Sequence, residues 1–122
     1  MEPPGKKPMI GVVGPCGSGK STLISRLQQH GFACRHIAQE HSYVQTMWQV
    51  IAKPDILIYL ATSFPISTSR RKLNWQEKDF TEQLRRLAHA HDHADLIIDT
   101  DELTPEQVLQ KVLDYLHSVA SW

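Results

Sequence analysis

Net charge is what this 122-residue chain most plainly lacks: 13 lysines and arginines stand against 13 acids. No global basic field is available to recruit nucleic acid, so a nucleic-acid partner is not expected. Nor does any apolar run approach the roughly 20 residues that cross a bilayer, which argues against a membrane partner. Cysteine is scarce, and Cys16 and Cys34 are too few for a disulfide framework; both are expected as free thiols. The residues before Met9 carry a lysine pair but neither a long apolar core nor a cleavage-type small-residue site. They do not read as a signal peptide, and a cytoplasmic location is the expectation.

What is present is ordinary for a soluble globular chain, with hydrophobic residues at 41% and charged residues at 21%. A chain of this length needs no second core. Residues 1–8 read as a flexible leader and 9–122 as one domain.

Met9 to Val13 is a short apolar run that fits a buried strand. Leu23, Ile24 and Leu27 then recur at helical spacing, and Gly31 stands where a helix would end. Phe32 to Ala38 reads as a weaker strand. His41 to Ala52 carries Tyr43, Val44, Met47, Trp48 and Ile51 at helical spacing and is expected as a helix ended by Pro54. Asp55 to Leu60 is a continuous apolar run suited to a central strand covered on both faces. After a polar stretch from Thr62 to Asn74, Phe80, Leu84, Leu87 and Ala88 form the expected stripe of the next helix, with Glu82 and Arg86 as a surface pair. Asp95 to Asp99 is the fourth strand. Thr104, Pro105 and Gln107 cap a last helix whose stripe is Val108, Val112, Tyr115, Leu116 and Val119. Alternating strands and helices predict an α/β fold in three layers, a small, mostly parallel sheet of about four strands with helices on both faces.

Gly14-Pro15-Cys16-Gly17-Ser18-Gly19-Lys20-Ser21 matches G-x-x-x-x-G-K-S/T between an expected strand and an expected helix, the context that motif requires. Glycines let main-chain N–H groups converge on an anion at the positive end of the helix dipole. A phosphate loop of the P-loop NTPase class follows, for ATP or a related nucleoside triphosphate. Lys20 would reach the β- and γ-phosphates, the Ser21 hydroxyl would ligate magnesium, and Thr22 would donate to the α-phosphate. Cys16 is open to two readings, an oxidation-sensitive thiol beside Lys20 or a small filler at a variable loop position.

Several branches of that class are set aside by what is missing: there is no N-K-x-D or D-x-x-G segment of GTPases and no L-S-G-G signature, and the chain is short for a helical lid of the AAA type. The chain instead resembles small-molecule and nucleoside or nucleotide kinases. Besides the loop, Pro54-Asp55-Ile56-Leu57-Ile58-Tyr59-Leu60 is similar to the P-D-L-x-I-Y-L strand of deoxynucleoside kinases. Ala94-Asp95-Leu96-Ile97-Ile98-Asp99-Thr100 with Leu103 to Val108 is similar to the last strand and helix of cytidylate kinases. The resemblance implies lid roles for Arg70, Arg71 and Lys72 over the transferred phosphate. It also implies a base or magnesium role for Glu40, whose Glu40-His41-Ser42 is similar to an E-R-S segment but has His41 where arginine is usual. Asp99, at a strand end, is the alternative acid, either one reaching magnesium through water; Asp101 would contact the base or serve as a cap. Asp55 begins its strand and should lie away from the ligand edge. One departure is plain: such kinases usually carry an acceptor segment and a further strand where Gly31 here leads at once into the second strand.

His89 and His93, four apart, would share a helix face and, with His91, invite a metal reading, but no Cys or acid of recognisable spacing accompanies them, and a helix C-terminus accounts for imidazoles equally well. Trp48 falls on the core stripe, whereas Trp75, beside the arginines, is the candidate to stack on a ligand. Two functions remain open. One is a minimal phosphotransferase using Mg²⁺ with ATP and an unknown small-molecule acceptor. The other is a nucleotide-binding or slow NTPase switch acting on a protein partner. A merely structural relative fits poorly with an intact Gly19-Lys20-Ser21.

Overall fold

The computed structural model describes residues 7–71 and 75–120, with backbone alone at Arg71. In chain order the elements are β1 (Met9–Val13), α1 (Lys20–Gln29), β2 (Ala33–His36), β3 (Ile56–Ala61), α2 (Phe64–Arg71), α3 (Glu77–His93), β4 (Leu96–Asp99) and α4 (Pro105–Ser118). The strands form one parallel sheet in the order β2-β1-β3-β4. This is the expected α/β P-loop arrangement.

Period-two alternation divides the apolar strand residues between two cores. Ile10 and Val12 of β1, Ile56, Ile58 and Leu60 of β3, and Ile98 of β4 pack under Leu23 and Leu27 of α1 and Val108, Val112 and Leu116 of α4. Val13, Leu57 and Tyr59 point the other way, against Ile37, Trp48 and Leu87 and Ala90 of α3. Covered on both faces, β3 is buried from Ile56 to Leu60, as its unbroken apolar run predicts. The α4 start has the expected capping box, with the Thr104 hydroxyl accepting from the Gln107 N–H and the Gln107 side chain returning to the Thr104 N–H.

Three expectations are corrected. The 41–52 segment is not one helix: a 3₁₀ turn at Gln39–His41 is followed by extended backbone at Ser42 and a π-helical turn at Trp48–Ala52. Local side-chain bonds compete with a helix there. The Ser42 hydroxyl accepts from the Val44 N–H, while buried Gln39 donates to the Val44 carbonyl and accepts from the Trp48 N–H. Tyr43, Val44 and Ile51 are consequently exposed, and only Trp48 of that stripe is buried. The polar stretch after β3 folds in part as α2, started by Ser63, whose hydroxyl accepts from the Ile66 N–H. Finally, α3 buries Phe80, Gln83, Leu87 and Ala90, whereas Leu84 and Ala88 face outward; the face is turned to aim Gln83 at the phosphate-type loop. The Glu82–Arg86 pair is present at 3.2 Å, and Arg85 joins it.

Gly14 ends β1 with φ 155°, and a Cβ there would overlap the Leu60 carbonyl oxygen and crowd the Ser18 hydroxyl at 2.8 Å. Gly19 has φ 100° but open space around it. Gly14→Ala is expected to destabilise by more than about 2 kcal/mol, whereas Gly19→Ala costs about 1 kcal/mol from backbone strain alone. Urea unfolding of the two variants checks this order.

Candidate functional site

The loop between β1 and α1 lies at the carboxyl end of the sheet, where open parallel sheets place ligands. Positive φ at Gly17 and Gly19 turns its backbone, and α1 begins at Lys20 without a side-chain cap. The first-turn N–H groups of α1 therefore have no partner four residues back and present a positive dipole end. They open into a cavity of about 510 Å³. Residues 16–22 of the loop line it together with His36, Ala38, Glu40, His41, Arg70 and Thr100, and Leu103, Pro105 and Val108 form an apolar wall. Gly14 and Pro15 lie buried beneath.

Lys20 is turned inward. Its ammonium donates to the Gly14 carbonyl at 2.6 Å, the Pro15 carbonyl at 3.2 Å and Glu40 Oε2 at 2.8 Å. The two side chains are only 6% and 3% exposed, so each charge depends on the other. Glu40 Oε1 and the Ser18 hydroxyl are buried with no hydrogen-bond partner among the described residues. Such groups are uncommon in proteins and mark places where a ligand, ion or water is taken up. Ser21 and Thr22 are exposed to the cavity.

Four side chains grip the loop from other elements. Gln83 accepts from the Cys16 N–H at 3.0 Å and donates to its sulfur at 3.2 Å. Ser67 donates to the Cys16 carbonyl. Thr100, 2% exposed at the end of β4, donates to the Ser18 carbonyl at 3.0 Å. Arg70 donates to the Gly17 carbonyl at 3.2 Å, to the Thr100 hydroxyl at 2.8 Å and to the Thr100 carbonyl.

Of the candidates, the structure thus brings Lys20, Glu40, Arg70 and the loop together. The Arg71 side chain and Lys72 lie outside the described residues. Asp99 is not at the loop: it faces a separate cleft with Leu96, Glu102, Lys111 and Asp114, its carboxylate accepting from the Asp101 N–H. This removes the structural basis for Asp99 as a magnesium acid. Asp55 sits at the opposite sheet edge, as expected, accepting from the Met9 N–H at 2.8 Å. Trp75 is not free to stack on a ligand, because it packs against Phe64 and Phe80 and donates to the Thr68 hydroxyl. The histidines of α3 are structural. Trp48 donates to His89 at 3.1 Å, and the His89 and His93 rings stack at 4.1 Å. Gln83, Ser67 and Thr100 were missed because a lone polar residue in a helix or at a strand end carries no pattern; only the oddity of Gln83 on an apolar face pointed there.

Electrostatics follow the geometry. Burial, and next the charge of Lys20, hold the His36 imidazole below its usual range. Tyr59 is pushed up to about 12 by burial and by the negative charge of Glu40. Burial works against the Asp101 charge, but the Thr62 hydroxyl, the Ser63 N–H and the Arg70 charge together hold its carboxyl below the ordinary carboxylate range.

This loop and sheet define a P-loop NTPase fold. The AAA domain family matches residues 10–117, and the chain belongs to it; the family is P-loop NTPase-like and includes kinases. The chain is accordingly a nucleotide-binding P-loop protein. A comparison with curated proteins found no match. No helix among the described residues is long and apolar enough to cross a membrane.

Asp101 joins the end of β4 to the start of α2, its carboxylate accepting from the Thr62 hydroxyl and the Ser63 N–H. Because its carboxyl titrates below the unfolded value, its contribution to stability is complete above about pH 4 and is lost as pH falls through the folded value. Asp101→Asn is expected to cost about 1–2 kcal/mol at neutral pH. The gap from wild type should narrow in urea melts as pH falls from about 4 through the folded value, below which both proteins are neutral at this position.

Proposed function

We propose that the protein is a small phosphotransferase moving the γ-phosphate of Mg-ATP to a small-molecule acceptor, in the manner of the nucleoside and nucleotide kinases it resembles. One observation carries this reading: Lys20, Glu40 and Arg70, from three separate segments, line a single cavity over an uncapped helix N-terminus. Phosphoryl transfer is mainly positioning and charge stabilisation, which calls for cations on the transferring group and an acid nearby. The volume of about 510 Å³ lies within the range of small-molecule sites.

The donor set fits the cofactor. The loop amides would hold the phosphates, with Lys20 exchanging Glu40 for the β- and γ-phosphate oxygens. The exposed Ser21 hydroxyl would ligate magnesium, with the unpartnered Glu40 oxygen reaching it through water or orienting the acceptor hydroxyl. Magnesium bound there would offset the charge of the phosphates. Arg70 would stabilise the transferred group, with Arg71 as a second lid cation. Leu103, Pro105 and Val108 would offer an apolar wall to the base. With free thiols and no basic field, a cytoplasmic protein with no nucleic-acid partner accords with this reading.

A second reading keeps nucleotide binding but gives the chain a protein partner in place of an acceptor. It is favoured by one feature: β2 pairs directly with β1, so no further strand or acceptor segment intervenes.

Incubation with ATP labelled at the γ-phosphate and a panel of nucleosides, nucleoside monophosphates and hydroxylated metabolites separates the two. Label on one acceptor is expected; release only as inorganic phosphate would transfer the argument to the switch. In the kinase case Arg70→Ala should lower kcat by about 100-fold or more while ATP affinity changes little.

A further inference from the structure

We infer that Cys16, Glu40 and His41 form a binding site for a zinc-class divalent cation at the lip of the phosphate loop. The site shares Glu40 with the proposed magnesium position but adds sulfur and nitrogen ligands. Their ligating atoms all lie within 4.8 Å of one another. Cys16 Sγ is 3.9 Å from His41 Nε2, which is 3.9 Å from Glu40 Oε2. With zinc–sulfur bonds of about 2.3 Å and zinc–nitrogen and zinc–oxygen bonds of about 2.0–2.1 Å, a tetrahedral ion needs about 3.6 Å between sulfur and nitrogen and about 3.3 Å between nitrogen and oxygen. The two pairs that include His41 close in by about half an ångström, and the sulfur–carboxylate pair, within 4.8 Å, by up to about 1.2 Å. His41, 60% exposed, is free to make that movement.

The rest of the site is arranged for such an ion. Glu40 is 3% exposed; one of its oxygens accepts from Lys20, and the other has no partner among the described residues. The oxygen that faces His41 at 3.9 Å is the one that accepts from Lys20, so a cation here competes with the ammonium for it, and the second oxygen is left for Lys20 after a turn of the carboxylate. Gln83 donates to the Cys16 sulfur at 3.2 Å, the kind of outer hydrogen bond that orients a thiolate ligand. A sulfur, an imidazole and one carboxylate select zinc over magnesium, which prefers six oxygens. Three protein ligands leave the fourth position open to the cavity for water or a phosphate oxygen. Binding releases the Cys16 thiol proton to solvent. Cys34 offers no such site: burial pushes its thiol up to about 11, and its sulfur faces the Phe32 carbonyl. A cation here occupies the acid that the phosphotransfer reading assigns to magnesium or the acceptor, so zinc would oppose turnover; that consequence alone rests on that reading.

The test is titration of the metal-free full chain with cobalt(II) and then zinc, without nucleotide, so that its outcome is independent of any activity. A thiolate-to-cobalt charge-transfer band with the visible bands of a four-coordinate ion is expected, bleached by zinc. Loss of an outer hydrogen-bond partner commonly costs about 10–100-fold in metal affinity. Gln83→Ala should fall in that range, and Cys16→Ser and His41→Ala should exceed about 100-fold. Cys34→Ser and His89→Ala should bind as wild type. Circular dichroism verifies each fold, and exposed His41 supplies a readout if Cys16→Ser unfolds. Absence of the band in wild type, its persistence in Cys16→Ser, or unchanged zinc affinity in His41→Ala would overturn the assignment.

Discussion

The buried contact between Lys20 and Glu40 is the interaction on which the site depends. It ties the start of α1 to the segment after β2, and the same ammonium holds the carbonyls of Gly14 and Pro15. A pair this far from water is poorly explained by stability alone, since desolvation offsets much of the attraction. Removing one partner would nevertheless strand the other, at a cost of about 3–5 kcal/mol. The arrangement makes sense as a held charge. Glu40 keeps Lys20 folded over the loop, and a triphosphate offers the same lysine a stronger set of anionic oxygens. In the proposed phosphotransfer, an exchange of counter-charges would follow, with Glu40 released toward a cation.

The loop is held from all sides by side chains near the carboxyl edge of the sheet. Ser67 and Arg70 of α2, Gln83 of α3 and Thr100 after β4 each bond its main chain. Those bonds engage the carbonyls of Cys16, Gly17 and Ser18 and the Cys16 amide, leaving the first turn of α1 to face the cavity. Rigid placement of N–H groups before a ligand arrives reduces what binding must spend on ordering. The short connection from α1 into β2 serves the same end, because β2 pairs beside β1 and delivers Glu40 directly to the loop.

Where the sequence was legible, one pattern had one physical solution. The Gly14 to Ser21 spacing between an apolar strand and an amphipathic helix admits little besides a phosphate loop, and the doubly apolar run of β3 admits little besides a central strand. The Thr104 capping box fixed the start of α4 for the same reason. Legibility failed where side chains override periodicity. Tyr43, Val44 and Ile51 have helical spacing, yet Gln39 and Ser42 draw the local hydrogen bonds elsewhere. The serines and threonines of α2 conceal a helix that tertiary contacts stabilise. Trp75 and the histidines of α3 look like ligand groups in sequence, but each is held by a neighbour that only the fold supplies. Cys16, His41 and Gln83 come from three distant stretches of chain, so their meeting has no sequence signature.

The most direct measurement is calorimetric titration of Mg-ATP into wild-type protein and into Lys20→Ala, each verified as folded by circular dichroism. A hydrogen bond to a charged group contributes about 1.5–3 kcal/mol, so the account predicts affinity lower by about 10–100-fold in the variant. Equal affinity in the two proteins would contradict it, because the lysine at the centre of the site would then not meet the phosphates at all.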